Sequence, residues 1–369
     1  MKKEWADRFN SFNSDKGFLF AEYYQAIADW VDGKRDKPMQ PIEVSFDPVQ
    51  ACNLHCDHCN AHRYLEDVTY RMTDKHIIEL VEFFADWGVK TMCLGGGGEP
   101  TLHTKLPEVI RLSKTLGMEN SLVTNGTLLT PELIESVALY SRYAGVSVDS
   151  ATPETYERGK GKNLLPQVLK NIASLVESIK KHKSNCSLSF KFLVAGYNQH
   201  EIFKACQIAK DLGVRDFHVR PTDFRHQGLG EWKKKTSEFN VESINEQFEK
   251  CHAIEDENFR VYSVLHKFND DLTPKRNFTQ CYASPVSIQV CADGNIYYCP
   301  DTRFLEFYIL GTHTNVEDIK KMWGNDHMKE LVTKTACQNC TSRCTFTIYN
   351  EICERLFINK DDPMYRWFV

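Results

Sequence analysis

Between residues 42 and 219 the chain alternates two rhythms, and this alternation narrows the possible folds most. Short apolar, β-branched runs occur at 42–46, 90–94, 121–124, 145–148, 187–194 and 214–219. Stretches with helical spacing separate them at 74–87, 106–116, 131–140, 164–181 and 200–212. Punctuation agrees, since Gly88, Gly117 and Gly213 stand where helices should stop, and Thr130-Pro131 reads as an N-cap followed by proline at the first helical position. Six strand–helix repeats require parallel strands with right-handed crossovers. The expected fold is α/β, a partial (βα)6 TIM-like barrel over residues 41–226, with ligands at the carboxyl ends of the strands.

The rest of the chain divides around that unit. Residues 1–40 read as a helical extension, with one helix from Phe18 to Val31 ending at Gly33. Residues 227–278 read as a connector whose charged core, 231–256, is helical, and 279–369 as a small cysteine-rich domain. Within that domain Asp293-Gly294 marks a hairpin between 286–290 and 295–298.

Composition excludes several functions. A formal net charge of -5 argues against a nucleic-acid partner, and the lysine runs at 180–183 and 233–235 read as solvated faces. No apolar run approaches the ~18 residues of a membrane span, and the polar start lacks the core of a secretion signal. The expectation is a cytoplasmic protein with reduced thiols, so fourteen clustered cysteines point to metal and not to disulfides.

Cys52-Asn-Leu-His-Cys56-Asp-His-Cys59 directly follows the first expected strand. Three thiolates so placed can wrap three corners of a cubane cluster and leave the fourth iron open to a ligand. The alternative is structural zinc, with His55, His58 or His62 as fourth ligand, although structural zinc normally joins two well-separated short motifs. The second strand runs into Leu94-Gly95-Gly96-Gly97-Gly98-Glu99-Pro100, where consecutive glycines let backbone approach a ligand. No Lys-Ser/Thr follows, so this is not a phosphate loop.

A Cys-x3-Cys-x2-Cys loop after the first strand of a βα repeat resembles the signature of the radical S-adenosylmethionine superfamily. The resemblance implies a 4Fe-4S cluster on Cys52, Cys56 and Cys59 whose open iron chelates the methionine moiety of S-adenosyl-L-methionine. Reductive cleavage then releases a 5′-deoxyadenosyl radical that abstracts hydrogen from substrate. Gly97, Gly98, Glu99 and Pro100 are similar to the family's Gly-Gly-Glu-Pro segment, which receives the methionine ammonium. Ser147, and with it Asn125 and Asp149, would reach the ribose or the methionine carboxylate; the alternative for each is a helix cap or turn residue. Residues 194–198, beginning with Val194, would meet the adenine, and Arg220 would bind a carboxylate or serve as an ordinary ion-pair partner.

A second cysteine set comprises Cys281 and Cys299, then Cys337-x2-Cys340-x3-Cys344, then Cys353. It resembles the SPASM extension of the same superfamily or its shorter twitch form. The resemblance implies a second, auxiliary 4Fe-4S cluster on Cys281, Cys299, Cys337 and Cys340, with Cys344 able to replace one of them. The spacing departs from the full seven-cysteine pattern, which favours a single auxiliary cluster and leaves Cys353 unassigned. A zinc ribbon is the alternative. Cys93, Cys186, Cys206, Cys251 and Cys291 read as core hydrophobes, with Cys291 the candidate hydrogen-atom donor.

The functional expectation is a radical enzyme of oxidoreductase type, served by an electron donor such as flavodoxin or ferredoxin. It would oxidise or epimerise a small polar molecule, such as a sugar, aminocyclitol or nucleoside derivative. Only 51 residues precede Cys52, short for a leader-peptide domain. Modification of a ribosomally made peptide is the alternative, and a non-catalytic iron–sulfur electron carrier is the reading from a different class.

Overall fold

The structure is a computed structural model that describes residues 14–61, 65, 70–222, 229–263, 278–334, 337, 344 and 346–358. All six expected strands form: β1 (Glu43–Asp47), β2 (Thr91–Leu94), β3 (Glu119–Thr124), β4 (Tyr143–Ser147), β5 (Ser187–Val194) and β6 (Asp216–Pro221). Five helices return the chain between them: α2 (Asp74–Trp87), α3 (Leu106–Thr115), α4 (Pro131–Tyr140), α6 (Leu165–Lys181) and α7 (Ile202–Leu212). They are preceded by α1 (Ala21–Val31), and a short α5 (Pro153–Lys160) leads into α6. The expected N-terminal helix is split, its first turns being a 3-10 segment, Ser14–Phe20.

Local chemistry explains these boundaries. Thr73 and Thr130 accept from the backbone N–H groups of His76 and Leu133, closing the first turns of α2 and α4. Gly88 and Gly213, at φ +91° and +79°, provide the left-handed residues that end α2 and α7.

Two further parallel strands flank the six. β7 (Arg260–Ser263) pairs with β6 inside the stretch that reads as a helical connector, after α8 (Leu229–Thr236) and α9 (Val241–Ala253). Four residues of mixed polarity carry no periodic signal, and their strand character comes from the ladder to β6. β8 (Ser287–Cys291) runs parallel to β1, and β9 (Asn295–Tyr297) and β10 (Ile309–Thr312) continue antiparallel. The cysteine-rich hairpin thus extends the same sheet, whose order is β10-β9-β8-β1-β2-β3-β4-β5-β6-β7. α10 (Val316–Met322), α11 (Asp326–Lys334) and α12 (Thr347–Cys353) complete the described elements.

The two sheet faces differ in chemistry. Val44, Phe46, Met92, Leu122, Val146, Phe190, Phe192, Phe217 and Val219 belong to one buried cluster with the helices, Phe46 meeting Phe84 edge-on at 6.0 Å. The alternate positions carry Glu43, Asp47, Cys93, Ser189, Lys191, Asp216, Arg220 and Gln289. Strands buried on both faces are ordinarily apolar throughout, so this polar face lines a space that polar groups must fill. No helix among the described residues is long and apolar enough to cross a membrane.

Candidate metal and cosubstrate site

The three-cysteine loop leaves β1 through Val49–Gln50, which pairs with Tyr70–Arg71. Cys52, Cys56 and Cys59 are all partly exposed. Two flanking segments hold the loop. On one side, Glu99 N–H donates to the Ala51 carbonyl at 2.8 Å, and a Cβ at Gly98 would stand 2.4 Å from the carbonyl oxygens of Ala51 and Val49. On the other, the carbonyls of Gly159 and Lys160 accept from Asp57 and His55 N–H at 3.1 and 3.0 Å. Lys162 Nζ adds a bond to the Asn53 carbonyl at 2.7 Å.

The thiols lie within electrostatic reach of one another. Burial pushes the Cys56 thiol up to about 12, Lys160 opposes this, and Cys59, Asp149 and Cys52 reinforce it. Burial also raises Cys52, and Asn125 Nδ2 donates to its sulfur at 3.8 Å. A bound metal cation reverses this penalty, because it stabilises the thiolate directly. Among the described residues no three His, Cys, Asp or Glu side chains converge on one ion-sized point. Three thiolates from one loop are the donor set a cubane takes, one to each of three irons. The imidazole of His58 is engaged by Asp149, with Nε2 3.5 Å from Oδ2. His62 lies outside the described residues.

The structure places the expected cosubstrate residues at successive strand ends, several of them already engaged. Glu99 is buried, and its Oε1 accepts from Thr101 N–H, Thr101 Oγ1 and Thr124 Oγ1 at 3.2, 2.6 and 2.5 Å. Its Oε2 accepts Asn125 N–H at 2.8 Å and alone retains a further lone pair. Asn125 bridges to Asn53 Oδ1 at 2.9 Å, and its own oxygen accepts from Thr127. Pro100 opens the short helix after Glu99, and Ser147 ends β4, partly exposed beside Lys191. Val194 ends β5 with its side chain in the core, and its carbonyl accepts the Thr222 N–H at 2.9 Å.

Asp149 is the hub of this region. It is buried at φ +62°, pairs with Lys160 Nζ, and accepts Leu193 N–H at 2.7 Å. Burial works against its charge, but Lys160 and His58 hold it well below the ordinary carboxylate range. Its carboxylate therefore organises the cysteine loop's supports. Lys160, Asp47 and Arg303 are functional neighbours that sequence reasoning missed. Arg303 Nη1 donates to Asp47 Oδ2 at 2.8 Å, and a Cβ on Gly96 would stand 2.4 Å from Asp47 Oδ1. None of the three sits in a recognisable motif, so only the fold could reveal them.

The second cysteine set gathers around Cys281. Its thiol is lowered, first through the hydrogen bond from Cys337, and Asn350 Nδ2 lies 3.8 Å from its sulfur. Cys299, Cys344 and Cys353 each feel its charge. Cys353, without an expected role, lies buried beside this group, and Cys340 falls outside the described residues. Cys291 is buried at the end of β8, its thiol 3.6 Å from Asp47 Oδ2.

Comparison with known proteins agrees with this geometry. The family profile described as Radical SAM superfamily matches residues 47–201. An AdoMet-dependent heme synthase of Methanosarcina barkeri (strain Fusaro / DSM 804) is 28% identical over 180 residues, 48% of this chain and 50% of that protein. The chain thus spans about half the length of that relative. A probable GTP 3',8-cyclase of Saccharolobus islandicus (strain M.14.25 / Kamchatka #1) is 26% identical over 274 residues, 71% of this chain and 83% of that protein. Among solved structures, SuiB of Streptococcus suis bound to S-adenosylmethionine superposes with a TM-score of 0.61 at 15% identity, covering 81% of this chain and 69% of SuiB. Native anSMEcpe with bound AdoMet gives 0.57 at 19% identity, covering 87% and 92%. At such identities these two show the fold alone, the partial barrel expected from the alternating rhythm. Residues 47–201 are a radical SAM domain, of the kind that works with a 4Fe-4S cluster and S-adenosylmethionine.

Proposed function

We propose that this chain is a radical enzyme whose Cys52, Cys56 and Cys59 hold the cluster that cleaves S-adenosylmethionine. The observation that carries the reading is the junction of two motifs. Gly98 and Glu99 lie directly against the backbone of the loop that bears the three thiols, so a molecule seated on the glycine run abuts the open corner of a cluster. When bound, the cluster supplies the electron that releases a 5′-deoxyadenosyl radical from the cosubstrate. The chain's own groups do the rest. Glu99 Oε2 keeps one lone pair for the methionine ammonium, the backbone after Val194 borders the adenine, and the polar lumen holds the substrate carbon to be attacked.

In the same reading Cys281, Cys299, Cys337 and Cys340, with Cys344 able to replace one of them, would hold an auxiliary cluster, which would supply an electron acceptor near the substrate. A flavodoxin or ferredoxin supplies the first electron. The polar lumen favours a small polar substrate of sugar, aminocyclitol or nucleoside type. A second reading, modification of a ribosomally made peptide, is supported by the fold neighbours SuiB and anSMEcpe, whose structures were determined with precursor peptide SuiA and with Cp18Cys peptide.

Anaerobic reconstitution followed by a dithionite-driven assay tests the reading. The expected result is 5′-deoxyadenosine release that Cys56→Ala abolishes and Cys281→Ala spares. Full turnover by Cys56→Ala refutes it. Incubation with candidate sugars, nucleosides and precursor peptides, followed by mass spectrometry, separates the two substrate classes.

A further inference from the structure

We propose that Phe304, carried by the turn after Cys299, is a positioning residue for S-adenosylmethionine, its ring fixing the path of Gly97 in the glycine run. The inference rests on the reading of that run as the cosubstrate seat. It makes the cysteine-rich region complete a site whose other parts come from the barrel.

Consecutive glycines have the most backbone freedom of any residues, so a run of them keeps one path only where neighbours press on it. Val123 does so at Gly95, where an added Cβ would stand 3.1 Å from the Val123 carbonyl oxygen. The carbonyls of Val49 and Ala51 do so at Gly98. Gly96 and Gly97 lean on a different part of the chain. A Cβ on Gly96 would collide with Arg303 Nη1 and Asp47 Oδ1. One on Gly97 would stand 3.1 Å from Phe304 Cζ and 2.6 Å from Asp47 Oδ2. Of these contacts, those of Arg303 and Phe304 come from outside residues 47–201.

Phe304 holds this place in a conformation that aromatic residues rarely take. Its φ is +64°, and the other described non-glycine residues at positive φ are Asp149 and Lys183. The left-handed region crowds Cβ against the following carbonyl oxygen, and such strain persists only where the surroundings enforce it. Here they do so from both sides. Arg303 is tied to Asp47 Oδ2 at 2.8 Å and to the Pro300 carbonyl at 2.7 Å. Leu305 N–H donates to the Thr302 carbonyl at 3.3 Å, and the Phe304 ring meets Tyr297 edge-on at 5.9 Å between centroids. The turn is therefore strained, yet pinned with its ring on the glycine run. That is the arrangement of a residue kept for what it touches and not for local stability.

The test titrates S-adenosylmethionine calorimetrically into reconstituted holoenzyme kept without reductant, so that binding is read without turnover. Phe304→Ala should weaken binding roughly 5- to 30-fold, the cost of ordering one residue's backbone. Phe304→Gly should weaken it as much, because both variants lose the ring. Its unfolding midpoint should nonetheless lie about 1–3 °C above that of Phe304→Ala, since glycine takes a φ of +64° without strain. Phe304→Met, whose side chain reaches about as far as the ring, should bind within a few-fold of the unmutated protein. Iron content should match in all four proteins. Equal affinity of Phe304→Ala and the unmutated protein overturns the proposal. So does full affinity in Phe304→Gly, since strain and not the ring would then matter. Affinity that falls in step with lost iron also overturns it, because the turn would then hold the cysteines and not the glycines. If the unmutated holoenzyme binds no S-adenosylmethionine, the cosubstrate reading of the run fails first and the role of Phe304 falls with it.

Discussion

Arg303 and Asp47 form an ion pair at 2.8 Å that joins the end of β1, five residues before the first cysteine of the loop, to the segment that follows Cys299. The same guanidinium donates from Nε to the Pro300 carbonyl at 2.7 Å. Asp47 is 2% exposed and Arg303 15%, so neither charge is solvated well enough to stand alone. The pair links the two cysteine regions through one pair of side chains and lies directly under Gly96 and Gly97.

Removing one partner should therefore be costly. Arg303→Met leaves the buried Asp47 carboxyl, which burial already raises, without its cation, a loss of about 3–5 kcal/mol. The double variant Asp47→Asn/Arg303→Met should recover much of that loss. Unfolding midpoints of the anaerobic holoenzymes check this, and equal midpoints for Arg303→Met and the unmutated protein would refute it.

Lys160 plays the matching part for the cysteine loop. Lys160→Met leaves the Asp149 carboxylate its His58 and Leu193 N–H contacts but removes its paired ammonium, and loosens the segment whose carbonyls hold His55 and Asp57. The expected outcome is destabilisation of about 3–5 kcal/mol and reduced retention of the iron bound by the first loop. Iron-to-protein ratios after gel filtration measure the second effect, and Lys160→Arg should lose less.

Gly98 is constrained by space and not by dihedral angle. Gly98→Ala would put a methyl 2.4 Å from two backbone carbonyl oxygens and 2.7 Å from the Ala51 nitrogen, so the glycine run and the cysteine loop must part. Release of 5′-deoxyadenosine should fall at least tenfold, roughly 1.4 kcal/mol in barrier. Gly117→Ala is the control: nothing stands within 4 Å of its Cβ, and only the φ of +86° is strained, at about 1–2 kcal/mol. Equal activity of the two variants would refute the packing argument.

Asp216 predicts a pH dependence. Burial raises its folded carboxyl to about 7, against an ordinary value of 3.8. The folded state therefore holds this proton more tightly than the unfolded chain. Its contribution is full below about pH 4 and is lost as the pH rises to about 7. Asp216→Asn, which keeps the oxygen that Ser189 bonds, should remove that slope and be more stable than the unmutated protein at pH 8. Unfolding midpoints at pH 5 and pH 8 would show the gap between the two proteins widening with pH. A constant gap would contradict the assignment.

Some of this was readable in the chain itself. The caps at Thr73 and Thr130 and the stops at Gly88 and Gly213 are short-range effects, and the strands and helices they delimit form as expected. The alternation Ser187-Leu-Ser-Phe-Lys191-Phe even marked one face of β5 as polar, a sign of a lined cavity that the apolar reading of the run overlooked. β7 was invisible because four residues hold too little pattern to outweigh their polar surroundings.

Local spacing determined the repeat, the three-thiol loop and its kinship, since each depends on residues a few positions apart. The fold alone decided which charges meet. Asp47 and Arg303 are separated by 256 positions, and Asp149 reaches back to His58 across the loop. Burial then sets the strength of each pairing, because a charge loses its water only when distant strands close around it. That is why Asp149, an ordinary turn aspartate in sequence, became a support for the cysteine loop.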